Sequence, residues 1–291
     1  MLKDWGKLAL TSALGVFLSS SFVFLAALPI RFMRLDFGRA PFILLSLSFT
    51  LCLLGFQQWQ WALVYFSLSF LIAVYSEMEL QHYSVFSSAS VAIGLTGLTT
   101  AFGFGLVAKH QGFTLMSFLE AQLLPIQEQF AAMPQIQELS DVPSIIGYLP
   151  SGVAIALMLA LFIALSIFSD ESGTKNSLLL KKFRLPDLAI WVFIGSLAGT
   201  FLFADESVNK LICTNILSIS AAAYFFQGLA VVTSYLDAYR VFGFWRLLLY
   251  FLIFFQMFIL VSGLGILDFW FDFRTRLRAK KNLSSRREEK S

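Results

Sequence analysis

Eight apolar runs dominate the chain, at residues 8–30, 40–56, 61–75, 84–108, 145–168, 188–203, 211–236 and 247–267, and none contains Asp, Glu, Lys or Arg. At 1.5 Å per residue, a helix of about 20 residues crosses a hydrocarbon core about 30 Å thick, and these runs reach or approach that length. Lipid offers no partner to backbone N–H and C=O groups, so a spanning segment is either a helix or part of a closed barrel. Continuous rather than alternating hydrophobicity excludes barrel strands. The expected fold is therefore all-α, a polytopic transmembrane helical bundle of about eight spans. Composition agrees: 58% of the 291 residues are hydrophobic and 13% charged, against about 45–50% and about 25% in soluble chains. Such a balance excludes a soluble enzyme, a disordered chain, a collagen and a secreted disulfide scaffold. The first run is too long for a signal-peptide core and shows no small-residue cleavage pattern, so it is expected to be retained.

Residues 1–269 are expected to form one transmembrane domain, with one long connection at 109–146. Within it Leu115, Leu119, Leu123, Ile126, Phe130 and Met133 recur at helical spacing, with Gln122, Gln127, Glu128 and Gln129 mainly off that stripe and Pro125 and Pro134 interrupting it. This pattern predicts an amphipathic segment lying in the interface or capping the bundle. Residues 270–291 form a basic tail with eight Lys/Arg against three acids. Arg274, Arg276, Arg278, Lys280 and Lys281 are candidate contacts for anionic lipid, each contributing roughly 1 kcal/mol near a charged surface. With eight crossings and the tail in the cytoplasm, 12 basic residues fall inside and nine outside. Without the tail the loops count four to nine, so loops and tail pull in opposite directions under the positive-inside tendency.

Small residues four apart leave a helix side bare for a neighbour. Gly97, Ala101 and Gly105 form such a stripe, and Ala9 and Ala13 a shorter one. Polar groups inside spans are costly and mark helix–helix hydrogen bonds or ligand contacts. Asn215 and Gln227 lie in the seventh run, Gln256 in the eighth, and Asp268 at its end, and these four are the candidate ligand-binding residues. Asp237 and Asp268 form a conceivable acid–base dyad for an intramembrane enzyme, but boundary carboxylates more often pair with a cation such as Arg240, Arg246 or Arg274. Cys52 and Cys213 are expected as two buried thiols rather than a disulfide. The string Gly103 to Ala108 matches G-x-G-x-x-A without the strand a dinucleotide site requires, and no phosphate-binding loop, H-E-x-x-H helix or nucleophile elbow is present. No catalytic residue, cofactor, metal or nucleic-acid partner is expected. The expected partners are the lipid bilayer, a membrane protein or a second copy of the chain, and a small-molecule ligand.

Several landmarks in order resemble the YybS-like family of bacterial integral membrane proteins. They are Leu28-Pro29, the turn from Arg34 to Gly38, Tyr148-Leu149-Pro150, Phe183-Arg184-Leu185-Pro186-Asp187, Asn215, Gln227-Gly228-Leu229-Ala230-Val231, and Gly263-Leu264-Gly265-Ile266-Leu267-Asp268 running into Phe273-Arg274. That family is similar in fold to the S components of energy-coupling-factor transporters. The resemblance implies a multi-pass protein of the bacterial inner membrane, with Ala9 and Ala13 facing a partner subunit and Asn215 and Gln227 lining a ligand cavity. Fold similarity does not carry function with it. The leading expectation is a non-catalytic, S-component-like subunit for binding or transport of a small molecule. The alternative is a scaffold organising an envelope complex, and an intramembrane enzyme stands third.

Overall fold

The computed structural model describes residues 2–21, 23–131, 142–167, 183–205, 207–239, 241 and 244–277. These are almost entirely helical, and no strand occurs among them. The chain divides into two compact units, residues 1–176 and 177–291.

In the first unit α1 (Leu2–Ser21) and α2 (Val23–Phe37) are followed by α3 (Arg39–Gly55), α4 (Trp59–Leu80), α5 (Val85–His110), α6 (Leu115–Ala131) and α7 (Val142–Ile167). The single span expected over 8–30 is two helices folded against each other. Ser12 Oγ donates to Met33 Sδ at 2.9 Å, and Gly15 sits against Ile30, so α1 and α2 run antiparallel. Had the helix continued straight, Arg31 and Arg34 would emerge beyond it. Folding back buries them instead, at 0% and 3% exposure.

Helices α3 and α4 are antiparallel about the turn at Phe56–Gln58, with Phe49 against Tyr65 and Arg39 beside Glu77. Helix α5 returns along α4, where Ser67 and Thr100 share a hydrogen bond of 2.7 Å and Gly103 accommodates Leu63. Ser84 caps α5 by accepting from Ser87 N, which supplies one of the amide partners a helix start lacks. The amphipathic connection contains α6, whose Phe118 packs on Trp59 and whose Gln122 accepts from Gln60. Pro125 lies inside that helix without ending it, while Met133 and Pro134 fall outside the described residues.

The second unit holds α8 (Leu188–Leu202), α9 (Val208–Ala238), α10 (Phe244–Gln256) and α11 (Phe258–Phe271). Helix α9 is its centre and packs on α8 and α11. The run expected as one span over 247–267 is interrupted at Met257, where φ −115° and ψ 20° leave the helical region.

Among the described residues four helices are long and apolar enough to cross a membrane: Trp59–Leu80, Val85–His110, Ile145–Ser166 and Val208–Ala238. They coincide with four of the eight expected runs. Arg39–Gly55 and Leu188–Leu202 are shorter apolar helices of 17 and 15 residues, roughly 25 and 22 Å long. The first and last runs are each divided between two helices among the described residues, and the span count rests on the four helices of crossing length.

Candidate functional site

In the first unit, polar chemistry gathers where α2 meets the end of α4. Arg31 donates from one terminal nitrogen to Ser76 Oγ at 2.6 Å and from the other to Glu79 Oε2 at 2.6 Å. Its guanidinium carbon lies 5.6 Å from the centre of the Tyr75 ring. Arg34 donates to Glu77 Oε1 at 3.2 Å, and the exposed Arg39 approaches the same oxygen. A buried ion demands a partner because its desolvation is so costly, and here the buried arginines meet carboxylates one and three residues before the end of α4. By linear order Arg31, Arg34 and Arg39 fall among the basic residues between the first two apolar runs. Complementary pairs at the two ends, Arg31/Arg34 and Glu77/Glu79, were the available signal, but nothing in linear order joins positions 48 residues apart.

In the second unit the site expected around Asn215, Gln227, Gln256 and Asp268 separates into different environments. Gln227, 2% exposed, accepts from Leu185 N at 2.9 Å through Oε1 and donates from Nε2 to Gly265 O at 3.0 Å. Both ends of the amide thus join the segment 183–187 to α9 and α11. Asp268, 1% exposed, accepts at Oδ2 from Arg274 Nε at 3.1 Å and from an Arg274 terminal nitrogen at 2.7 Å. The other terminal nitrogen of Arg274 donates to Phe183 O at 2.7 Å. Asp268 Oδ1 has no hydrogen-bond partner among the described residues. Asn215 lies twelve residues before Gln227 on α9, about 18 Å along the axis, and donates to Leu211 O at 3.0 Å. Gln256 is exposed at the end of α10.

Arg274, expected with the lipid-facing tail, is instead 7% exposed and held by Asp268. Its neighbour Arg276 is exposed. Arg278, Lys280 and Lys281 lie outside the described residues. Asp237 and Asp268 stand 31 residues apart in sequence, and the carboxylate of Asp268 is committed to a guanidinium rather than to a second acid. Cys52 and Cys213 are both free, as expected, but neither is fully buried: Cys52 is exposed on α3 and Cys213 half-buried on α9. Among the described residues no group of three His, Cys, Asp or Glu side chains is placed to hold a metal ion.

Small residues are used differently from the expected pattern. The close helix crossing is at Gly228 and Gly265, where α9 and α11 touch through their backbones. A Cβ on Gly228 would collide with Val261 O, and one on Gly265 with Tyr224 O. Gly199 likewise admits Cys213 between α8 and α9. By contrast, Gly94, Gly97 and Gly105 have nothing within 4 Å of where a Cβ would stand, and Ala101 is exposed. At 100° per residue these four lie away from Ala92, Thr96 and Gly103, which face the rest of the unit. Ala13 is exposed on α1, and the side chain of Ala9 lies outside the described residues.

Apolar helices of crossing length, with buried charges closed on partners near the helix ends, define an integral membrane protein of the helical class. The chain belongs to the DUF2232 family of predicted membrane proteins, whose family model matches residues 8–269. No curated protein and no solved structure matches it. The family match takes in the α1–α2 hairpin and Asp268, and it ends five residues before Arg274, the partner of Asp268.

Proposed function

We propose that this chain is a non-catalytic subunit of a membrane complex, a scaffold that works by helix-to-helix association in the cytoplasmic membrane of a bacterium. The observation that carries this reading is the bare stripe of α5. Gly94, Gly97, Ala101 and Gly105 share one open side, bordered by the exposed ridge Leu95, Leu98, Phe102 and Leu106. Small residues beside a bulky ridge let another helix dock at close range, where van der Waals contact drives association in lipid. The amide of Gln227 and one oxygen of Asp268 are engaged in holding the second unit together, which weighs toward structure and away from a cavity lined by them.

The test is the mass of the assembly in nanodiscs by native mass spectrometry. Wild type is expected to run as an oligomer or with a stoichiometric partner, and Gly97→Leu/Gly105→Leu as a single chain with unchanged helical content. A single chain for wild type, or the same assembly for the variant, contradicts the reading.

A second reading, the small-molecule carrier, has its own support in Asp268 Oδ1, a buried acceptor with unused capacity. In that reading Asn215, Gln227, Gln256 and Asp268 border the ligand. A small molecule that co-purifies with wild type and is lost from Asn215→Leu favours the carrier. Repeated recovery of a ligand-free protein favours the scaffold.

A further inference from the structure

Helices α8 and α9 are antiparallel: Phe193 meets Tyr224 and, further on, Gly199 meets Cys213. One end of the second unit therefore carries the segment 183–187, where α8 starts, together with the last turns of α9, and the other end carries the connection 203–207. Helix α11 begins deep in the unit. Its Phe258 stacks at 4.9 Å on Phe225, which lies 13 residues, about 20 Å, before the end of α9. It finishes at the first end, where Asp272 lies 3.9 Å from Arg184 and Arg274 donates to Phe183 O at 2.7 Å. So α11 runs outward, parallel to α9. The 13 residues of α10 cover the same distance of about 20 Å inward. They start shortly after α9 ends and are tied to it by the hydroxyls of Thr233 and Tyr250, 3.1 Å apart. The last apolar run thus dips into the unit and returns to the end it left. At its turn Met257 donates to Ile253 O and accepts from Val261 N, so both of its backbone groups are paired, as lipid requires.

This path sets the charge of each end. Arg184 is exposed at the first end, Lys181 and Lys182 precede it in sequence, and Arg240 and Arg246 flank the passage from α9 to α10. The tail joins them. Asp272, left-handed at φ 45°, turns the chain so that Arg274 folds back onto Asp268, and Arg276 is exposed just beyond. The root of a segment with eight Lys/Arg against three acids is thereby fixed at this end. The opposite end carries Asp205 and Glu206, and the one basic residue between positions 188 and 239, Lys210, is paired with Asp205. An excess of Lys and Arg marks the cytoplasmic side of a membrane protein, where the leaflet carries anionic lipid. We propose that residues 244–271 form a re-entrant helical pair, and that the basic end it completes docks on the anionic headgroups of the cytoplasmic leaflet. A lipid surface suits cations gathered at the level where α8 starts and α9 and α11 end.

Sidedness is tested in a Cys52→Ser/Cys213→Ser background carrying Asp187→Cys, Ala204→Cys or Ser284→Cys. Each full chain is labelled with a membrane-impermeant maleimide in spheroplasts and in inside-out vesicles. Positions 187 and 284 are expected to react only in the inside-out vesicles, and position 204 only in the spheroplasts. If 284 reacts together with 204, the last run crosses the membrane and the proposal is overturned. It is overturned equally if 187 and 284 both react from outside. The lipid is tested by native mass spectrometry of the protein released from nanodiscs of equal phosphatidylglycerol and phosphatidylcholine. Each basic residue near an anionic surface shifts binding by roughly fivefold, and salt screens part of this. Phosphatidylglycerol is therefore expected to be retained about tenfold over phosphatidylcholine by wild type. Arg276→Gln/Arg278→Gln/Lys280→Gln/Lys281→Gln is expected to lose most of that preference with unchanged helical content. Equal retention by wild type, or an unaltered preference in the variant, overturns the docking.

Discussion

Replacing Gly228 by alanine tests the packing of the second unit at its tightest point. The new methyl carbon would overlap the Val261 carbonyl oxygen and stand 2.9 Å from Val261 C and 3.0 Å from Val261 Cγ1. The first two are backbone atoms, so no rotamer change removes the clash, and α9 and α11 must move apart by roughly 1 Å. Overpacking of a close-packed core costs about 1–3 kcal/mol and occasionally more, and a backbone clash belongs at the upper end. Separation also stretches the bond from Gln227 Nε2 to Gly265 O, now 3.0 Å. A loss near 3 kcal/mol lowers the folded-to-unfolded ratio by roughly a hundredfold. The assay is reversible denaturation in mixed micelles, with Gly263→Ala as control. That position lies on the same helix as Gly265 with nothing within 4 Å of its Cβ site, and alanine there is expected to be neutral or to stabilise by up to about 1 kcal/mol. If Gly228→Ala and Gly263→Ala unfold at the same denaturant concentration, backbone contact between α9 and α11 is not what holds this unit together.

The remaining predictions concern the polar ties. Gln227→Leu leaves Leu185 N–H buried without its acceptor, so a loss of about 1–3 kcal/mol is expected in the same assay, and no loss would remove the amide from the structural account. Glu79→Gln strips Arg31 of its carboxylate and is expected to cost about 3–5 kcal/mol, whereas Arg31→Met/Glu79→Met, which removes both charges, is expected to recover much of that. Equal losses in the single and double variants would refute the pairing. Outside the helices, the hydrogen bond and charge of Lys210 hold the Asp205 carboxyl below its ordinary value of 3.8. A depressed value means that the stabilisation is present above the unfolded value and lost as pH falls through the lower folded one. Both groups meet solvent, so the effect on stability is small, and the measurement is a carboxyl titration by NMR. Asp205 is expected to titrate below 3.8 in wild type and to rise in Lys210→Ala, and equal midpoints would contradict the contact.

The parts legible in the sequence were those set by local hydropathy. The uncharged runs at 61–75, 84–108, 145–168 and 211–236 each became a helix of crossing length, because burying backbone in lipid leaves the chain no other solution there. The amphipathic spacing of Leu115, Leu119 and Leu123 became α6 for the same local reason. What remained hidden depended on partners distant in sequence. Residues 8–30 look like one span, because the contacts that fold α2 onto α1, Ser12 with Met33 and Gly15 with Ile30, join positions well apart in sequence, and the Arg31–Glu79 pair that buries the arginine spans more still. Arg274 looks like a member of the basic tail until Asp268 captures it. The glycine pattern was equally ambiguous, since spacing identifies a bare helix side but not its neighbour. Gly228 and Gly265 stand out in the sequence only through a resemblance, yet it is they that meet inside the fold, while Gly97 and Gly105 have nothing within 4 Å of a Cβ site.

The most direct measurement of the central claim is a scan of α5 in native membranes with a benzophenone photocrosslinking residue at successive positions, which reacts with any adjoining helix. The account predicts discrete adducts at positions 94, 97, 101 and 105, and none at positions 92 and 96, which are buried on the opposite side of the helix. Uniform crosslinking around the helix, or none at the bare stripe, would contradict it.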